Sequence, residues 1–248
     1  MTKYILFDTE TTGNQDEDRI IQIGAMVIGA RGEVEVYDEL CSSEVPIKIE
    51  AMEVHNITPE LLQGKARFQE TKFFNDLKAL NSENNYLIAH NIKFDLGMLE
   101  KEGFKNSMQL IDTLRCSKHL FPESPYHRLQ YFRYSLGLYK DEAREAQKHH
   151  IIIKAHDAIG DVLVMKLLLS KIVAKVKEKY PNIHPMKKLV ELTAQPVLLQ
   201  EFKFGKYNGE KIEVIARKDM GYLKWMYKNM DLDEDMQFTL EYIMERYG

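Results

Sequence analysis

The chain has 248 residues, of which 44% are hydrophobic in type, and a formal net charge of −4 at pH 7. These values indicate a globular protein with one substantial core and exclude a uniformly basic nucleic-acid-binding protein. No apolar run approaches the length that crosses a bilayer, and the first residues lack a signal-peptide profile. We therefore expect a cytoplasmic protein without membrane contact. Cys41 and Cys116 are too few for a disulfide framework.

Strands dominate the beginning of the chain, and helices alternate with strands after it. Apolar runs predict a strand ending at about Phe7, a second over 20–28 and a third from the turn at 30–32 to about Leu40. Helical spacing then covers 69–80, followed by a strand over 86–89, a helix over 94–102 and a strand at 110–111. Further helices are predicted over 113–120, 129–138 and 157–179. This order predicts an α/β fold with a mixed sheet.

The C-terminal part of the chain differs from the rest. Residues 180–200 contain Pro181, Pro185 and Pro196 and have no clear periodicity, which predicts a linker. We thus divide the chain into a domain over 1–179, a linker over 180–200 and a module over 201–248. The module is short, so we expect it to dock on the main domain or on a partner.

Two carboxylates stand at the end of the first predicted strand, in the segment Asp-Thr-Glu-Thr-Thr-Gly that begins at Asp8. Residues i and i+2 of a strand project from the same face, so Asp8 and Glu10 would point at one place. Like charges at this separation repel, and each group tends to keep a proton unless a cation lies between them. Mg²⁺ prefers oxygen ligands of this kind. A solvated strand end is the alternative for this pair alone.

Further acids and a histidine follow at predicted helix starts. Asp95 lies in the first turn of one helix, where a carboxylate also favours the helix dipole. His156 and Asp161 lie at the start of the long helix. They can face one place if Asp157 is the N-cap, His156 precedes it and Asp161 projects from the first turns. Together the chain supplies four acids and one histidine in the order strand, helix, helix.

With these residues the chain resembles the DEDDh exonucleases of the DnaQ-like superfamily. Asp8 and Glu10 match the first motif, Asp95 the second, and His156 with Asp161 the third. Residues 46–58 are similar to a family segment that commonly ends in His-Gly-Ile-Thr, with Asn56 in place of the glycine. Segments 202–209 and 219–225 are similar to the C-terminal module of exonuclease X-like proteins. The resemblance implies a ribonuclease H-like mixed five-stranded sheet flanked by helices.

The resemblance also implies a catalytic set and a cofactor. Two Mg²⁺ or Mn²⁺ ions would be held by Asp8, Glu10, Asp95 and Asp161, with Asp8 bridging both. Glu10 and Asp161 would help to hold the ion that carries the attacking water, and Asp95 would support the second ion. His156, with an ordinary pKa near 6.5, would take the proton from that water. The products would be 5′-mononucleotides released from a 3′ end.

Substrate contacts are predicted at two places. Thr9, Thr11, His55 and Asn91 are candidates for binding the terminal nucleotides, although turn formation explains the threonines as well. A stacking and basic patch on the module is the second candidate; core packing is the alternative for its aromatic residues. The patch consists of Lys203, Lys206, Tyr207, Arg217, Lys224 and Trp225.

The first functional hypothesis is a metal-dependent 3′→5′ exonuclease that acts on single-stranded DNA and on duplex 3′ ends in DNA repair. One alternative is a proofreading epsilon-type subunit of a replicative DNA polymerase, whose partners would be the polymerase or repair proteins. Another is an RNA 3′ exonuclease, and a third is a catalytically silent nucleic-acid-binding adaptor. Residues 139–153 carry no motif, and we predict that His149 and His150 lie on the surface. Substrate preference, processivity, oligomeric state and physiological metal stay open.

Overall fold

A mixed β-sheet forms the centre of the protein in a computed structural model, which describes residues 1–153 and 157–248. Its strands are β1 (Lys3–Thr11), β2 (Ile20–Gly29), β3 (Val34–Leu40), β4 (Tyr86–Ala89) and β5 (Gln109–Asp112). They lie in the order β3-β2-β1-β4-β5. The first three strands pair antiparallel, whereas β4 pairs parallel with both β1 and β5. The predicted mixed five-stranded sheet is confirmed.

Helices cover both faces of this sheet. They are α1 (Ile49–His55), α2 (Pro59–Leu62), α3 (Lys72–Leu80), α4 (Ile92–Lys101), α5 (Thr113–Leu120), α6 (Leu129–Ser135), α7 (Tyr139–Lys148), α8 (Ala158–Lys179), α9 (Pro185–Ala194), α10 (Ile212–Lys218), α11 (Met220–Asn229) and α12 (Glu234–Tyr247). The long helix follows Asp157, as the sequence predicts. Across the described ranges, no helix is both long and apolar enough to span a membrane.

Alternation along β1 divides the core into two layers. Leu6 faces the cluster formed with α5, α6, α8 and α9. Ile5 and Phe7 face the opposite cluster, which includes α3 and α4. Because side chains alternate along a strand, Asp8 and Glu10 share the face of Leu6 and α8, and Thr9 shares the face of α4.

The predicted linker is wrong as a description of residues 180–200, because helix α9 lies within it. Its Leu189 and Leu192 are buried in the same cluster as α8. The Asp112 backbone amide at the end of β5 donates to the Thr193 hydroxyl over 2.9 Å. Proline at the first turn starts this helix rather than breaking it, which is why the proline-rich segment was misassigned.

The C-terminal module has its own core and also docks on the main domain. Its helices α10, α11 and α12 bury a separate cluster that includes Phe202, Leu223 and Leu240. Asp235 of α12 is buried, lies 3.1 Å from the Arg115 guanidinium of α5, and accepts a 2.9 Å hydrogen bond from the backbone of Val197. This buried ion pair between α5 and α12 agrees with the expectation that the module docks on the main domain.

Helix α7 occupies the stretch to which no motif was assigned, and its acids anchor it on the core. Glu145 is buried, accepts a hydrogen bond from Lys166 of α8, and lies 3.1 Å from Lys148. His149 lies 3.3 Å from the same carboxylate with a side chain 15% exposed, so the prediction of a surface position is wrong for it. His150 is exposed, as predicted.

We predict that Glu145→Gln lowers the free energy of unfolding at neutral pH by about 2 kcal/mol. Hydrogen bonds from Lys166 lower the pKa of Glu145 from 4.5 to about 2, so its stabilising effect is present above pH 4.5 and is lost as the pH falls toward 2. Urea unfolding at pH 7 and pH 3 should therefore show a smaller difference between wild type and variant at the lower pH. Glu178→Gln is the control, because its exposed pair with Lys175 should contribute under about 0.5 kcal/mol.

Candidate active site

The first acid pair lies within strand β1 rather than after it. The β1 ladder continues past Phe7, with Asp8 opposite Gly24 and Glu10 opposite Gln22 on β2. Both acidic side chains are half-buried. Pairing with the longer β2 extends the strand beyond the apolar run, so the hydrophobic pattern alone placed its end too early.

A glycine on β2 lets helix α8 approach this pair. A Cβ on Gly24 would lie 2.3 Å from the carbonyl carbon of Ala158 and from the amide nitrogen of Ile159. The backbone of the first turn of α8 fills that space. Any side chain at position 24 would prevent this close approach of the helix to the sheet. The close contact brings Asp161, in the same first turns of α8, to the face that carries Asp8 and Glu10.

Asp95 reaches the acid pair from the other side of the sheet. It lies in the first turn of α4 and is only 3% exposed. The backbone amide of Thr9 donates to its Oδ1 over 3.2 Å, and the Thr9 hydroxyl donates to the same atom over 2.7 Å. Thr9, which lies between Asp8 and Glu10 on β1, thus holds Asp95 in position.

Two residues that sequence reasoning missed orient Asp161. Gln130 of α6 donates from Nε2 to Asp161 Oδ1 over 2.7 Å. Arg133 donates to Gln130 Oε1 over 3.2 Å and makes a bidentate pair with Glu142 of α7, at 2.6 Å for each bond. A neutral glutamine carries no sequence signal for this role, since the contact depends on packing α6 against α8.

Two further acids hold the elements that frame the site: Asp112, which was not predicted, and Asp157, which the sequence places as the N-cap of α8. Asp112, at the end of β5, accepts hydrogen bonds from the backbone of Asn91 at 3.0 Å and of Leu114 at 2.9 Å, so it joins the starts of α4 and α5. Its position before a predicted helix is an N-cap signal that could have identified it. Asp157 is buried at the start of α8 and accepts a 2.6 Å hydrogen bond from Gln22.

The four acids are close enough to affect one another electrostatically. Burial, followed by the charges of Asp95, Asp161 and Glu10, raises the pKa of Asp8 well above its usual value. Burial and then the charge of Asp161 raise the pKa of Glu10 to about 8. Burial raises the pKa of Asp95 to about 7, although the hydrogen bonds from Thr9 act in the opposite direction. The site is therefore strained by negative charge that a cation would relieve.

The donor chemistry of this cluster fits a hard divalent cation. All four candidate ligands are carboxylates, the ligand type that Mg²⁺ and Mn²⁺ prefer. Within residues 1–153 and 157–248, no three His, Cys, Asp or Glu side chains already surround one point as a metal cage would. The acids thus share one region without surrounding a common point, so binding of an ion would require their side chains to move.

Three of the residues predicted to contact substrate use their side chains in internal contacts. The Thr11 hydroxyl donates to the carbonyl oxygen of Gly13 over 2.7 Å, and the Thr9 hydroxyl is bound to Asp95. His55 is buried and lies 3.2 Å from the carbonyl oxygen of Thr11. Asn91 is exposed at the start of α4. Their assignment to substrate binding stays a prediction.

Asn56 explains how the chain departs from the family's His-Gly-Ile-Thr segment. It ends α1 in the left-handed conformation, with φ 59° and ψ 19°. Glycine adopts this conformation freely, and asparagine is among the few other residues that tolerate it. The backbone of Ile57 can then donate to His55 Nδ1 over 3.0 Å, so the turn keeps its geometry.

His156, the predicted proton acceptor, lies outside the described residues, which resume at Asp157. Its assignment therefore rests on the sequence motif alone.

Comparison with known proteins decides the family. The family model described as "Exonuclease" matches residues 5–169, which include all five predicted catalytic positions. The chain belongs to this exonuclease family. A second model, "Exodeoxyribonuclease X-like C-terminal", matches residues 202–231. The resemblance stated from the motifs is confirmed, and the family's chemistry depends on divalent metal ions.

Curated relatives of this exonuclease include bacterial DNA enzymes. The chain is 26% identical to exodeoxyribonuclease 10 of Escherichia coli over 246 residues, which cover 97% of this chain and 98% of that protein. It is 29% identical to the PolC-type DNA polymerase III of Bacillus cereus over 171 residues, which cover 66% of this chain and 11% of the polymerase. The first relative matches along the whole chain, module included.

Solved structures share the fold. A structure described as exonuclease X in complex with 5′ overhanging duplex DNA has a TM-score of 0.54 and 19% identity, over 78% of this chain and 100% of that one. Escherichia coli exonuclease I in complex with a dT13 oligonucleotide has a TM-score of 0.52 and 18% identity, over 73% of this chain and 42% of that one. At these identities the likeness supports the fold alone.

We predict that Gln130→Ala lowers kcat by about 10–100-fold and raises the Mg²⁺ concentration that gives half-maximal activity. The substitution removes a hydrogen-bond donor that helps to orient Asp161. Measuring the rate across a Mg²⁺ titration tests this, with Gln147→Ala, an exposed glutamine of α7, as the control. Wild-type rates for Gln130→Ala at every Mg²⁺ concentration would contradict the proposed role.

Proposed function

We propose that this exonuclease is a metal-dependent 3′→5′ exodeoxyribonuclease that removes 5′-mononucleotides from single-stranded and duplex DNA 3′ ends in DNA repair. We further propose that Asp8, Glu10, Asp95 and Asp161 hold two Mg²⁺ or Mn²⁺ ions. His156 is proposed as the base. The division into an exonuclease domain and a C-terminal module near residue 200 is part of this proposal.

One observation carries the proposal: acids from β1, α4 and α8 converge on one region. Burial, and then the charges of the neighbouring acids, raise the pKa of Asp8 there. A protein that only bound nucleic acid would gain nothing from this arrangement, because acids repel phosphates. Divalent ions bound by these carboxylates would stabilise the attacking and leaving oxygens of a displacement at phosphorus.

The residues around the acids would keep them in position during the reaction. Thr9 donates two hydrogen bonds to Asp95, and Gln130 donates one to Asp161. Such neighbours fix the rotamers of metal-binding carboxylates and so limit the reorganisation needed on binding. His156 precedes the N-terminus of α8 in sequence and would accept the proton of the attacking water near neutral pH.

DNA is proposed as the substrate because exodeoxyribonuclease 10 matches along 97% of this chain and 98% of its own length. The best test follows a 5′-labelled single-stranded DNA oligonucleotide with Mg²⁺, with Mn²⁺ and with EDTA. Matched RNA and duplex substrates are run beside it, with Asp8→Ala and His156→Ala as variants. We expect a ladder that shortens from the 3′ end, needs metal, is fastest on DNA and is lost in both variants.

Faster shortening of the RNA would replace the proposed substrate with RNA. Binding without cleavage by wild type under either metal would support the silent-adaptor alternative. Cleavage by Asp8→Ala at the wild-type rate would contradict the proposed site.

A further inference from the structure

An exposed aromatic ring lies where the C-terminal module meets the main domain. Tyr126, in the loop before α6, is 52% exposed. The Arg128 guanidinium lies 4.9 Å from the centroid of its ring, and the Lys203 ammonium of the module lies 6.0 Å from the same centroid. Cations from the loop and from the module therefore flank one accessible ring.

This ring lies a few residues before a residue that contacts the acid cluster. Arg128 precedes α6, and Gln130 in the first turn of that helix donates to Asp161. Tyr126 lies four positions before Gln130, so their Cα atoms lie within about 14 Å of each other. That distance corresponds to about four nucleotides at the stacked spacing of about 3.4 Å. A strand whose end lies at the acids can thus reach Tyr126.

More aromatic and basic groups lie on the module beyond Lys203. Lys206 Nζ lies 5.7 Å from the centroid of the Tyr222 ring, and Tyr222 stacks on Trp225 at 6.0 Å with an interplanar angle of 25°. Trp225, the single tryptophan of the chain, is 53% exposed, and Phe204 is 40% exposed. Aromatic rings placed beside cations are the elements with which proteins bind single-stranded nucleic acid.

The structure also narrows the patch predicted from sequence. Tyr207 is buried in the module core, and its hydroxyl donates to Asp219 over 2.6 Å. Arg217 is paired with Glu213 at 3.0 Å. Core packing thus explains Tyr207. The Arg217 guanidinium lies 5.4 Å from the centroid of the Tyr247 ring rather than beside the rings named above. Trp225 is left with an open face.

The cations of this surface have acidic neighbours that a phosphate could replace. Lys203 pairs with Glu201, and Lys206 lies 3.1 Å from Asp219. Both lysines are more than 60% exposed. Ion pairs between exposed side chains are weak and are screened by salt, so they do not prevent the lysines from binding a polyanion.

We propose that Tyr126, Arg128, Lys203, Phe204, Lys206, Tyr222 and Trp225 form a track for the single-stranded part of a DNA substrate. We call this surface the strand track. It binds nucleotides on the 5′ side of the reacting end, by stacking on the rings and by pairing phosphates with the cations. The inference rests on the proposed function for the direction of the strand, and it gives the module a role in substrate affinity.

The test compares binding of a long and a short DNA strand to the full chain. Fluorescence anisotropy in EDTA, which prevents hydrolysis, follows 5′-labelled oligothymidylates of about six and about twenty nucleotides. We expect Trp225→Ala to raise the Kd for the long strand by about tenfold and to reduce the preference for the long strand accordingly. Phe238→Ala, which removes an exposed ring of α12 outside the track, should change neither Kd.

A salt titration tests the charges of the strand track. The double substitution Lys203→Ala with Lys206→Ala should make the slope of log K against log salt shallower by about 1.4 for the long strand. Wild-type affinity and slope in these variants would overturn the strand track, even if the enzyme degrades DNA. Tight, track-dependent binding by a wild type that never shortens DNA would instead overturn the proposed function and leave the track in place.

Discussion

Asp8→Asn should lower exonuclease activity by at least about 10³-fold while making the metal-free protein more stable. The loss of activity follows from removing the carboxylate at the centre of the acid cluster. The gain in stability follows because burial and three neighbouring acids raise the pKa of Asp8, so its ionised form destabilises the folded state. We expect the free energy of unfolding in EDTA to rise by about 1 kcal/mol at neutral pH.

The sign of the pH dependence follows from the raised pKa. Asp8 is protonated in both states well below its unfolded value of about 3.8, so wild type and Asp8→Asn should then be equally stable. The advantage of the variant should appear as the pH rises above that value, because Asp8 then ionises freely in the unfolded chain while the folded state still holds it protonated. Thermal unfolding in EDTA across pH 3–8 measures this difference.

Metal should reverse the order of stability. Mg²⁺ at about 100 times its Kd would stabilise the wild type by about 2.7 kcal/mol, and Asp8→Asn should gain far less. Asp231→Asn, at an exposed acid of the module, should behave as wild type in every condition. An Asp8→Asn variant that is less stable than wild type in EDTA would contradict the electrostatic account of the site.

Gly24→Ala should impair both folding and activity although it lies on a strand and bears no chemistry. The added methyl group would lie 2.3 Å from the backbone of Ala158 and Ile159, so α8 or β2 must move. We expect the free energy of unfolding to fall by about 1–3 kcal/mol. A displacement of about 1 Å at Asp161 would lower the rate by about 10²-fold.

Gly97→Ala is the matched control for this substitution. Gly97 lies in helix α4, and a Cβ there would have no heavy atom within 4 Å apart from its chain neighbours and the backbone of its own helix. Replacing a helical glycine with alanine should raise stability by about 0.5–1 kcal/mol and leave the rate unchanged. Unfolding curves and rates for both variants test the role of the close approach. Wild-type stability in Gly24→Ala would show that α8 is not held there by contact.

Local patterns predicted most of the fold because they report burial directly. The runs that became β2 and β4 and the long helix that became α8 were found from periodicity and helix-end signals. The extent of β1 through Asp8 and Glu10 could not be predicted, since it depends on pairing with β2. Helix α9 was missed because Pro185 was interpreted as a breaker, whereas it occupies the first turn.

The residues of the candidate site likewise include some that the sequence predicts and others that depend on packing. Its acids were predicted because carboxylates at strand and helix starts form a motif, and the family match includes those positions. Gln130 and Gly24 were not predicted, because one acts through a contact between helices and the other through the absence of a side chain. Their roles follow from packing, to which a single sequence gives no direct access.

The acid cluster should hydrolyse DNA one nucleotide at a time from the 3′ end. The most direct measurement is mass spectrometry of the products formed from an unlabelled single-stranded oligonucleotide in Mg²⁺, by wild type and by Asp8→Asn. We expect 5′-mononucleotides from the wild type, in the order in which they stand from the 3′ end, and an intact strand with the variant. Nucleoside 3′-phosphates, internal fragments or the same products from Asp8→Asn would contradict this expectation.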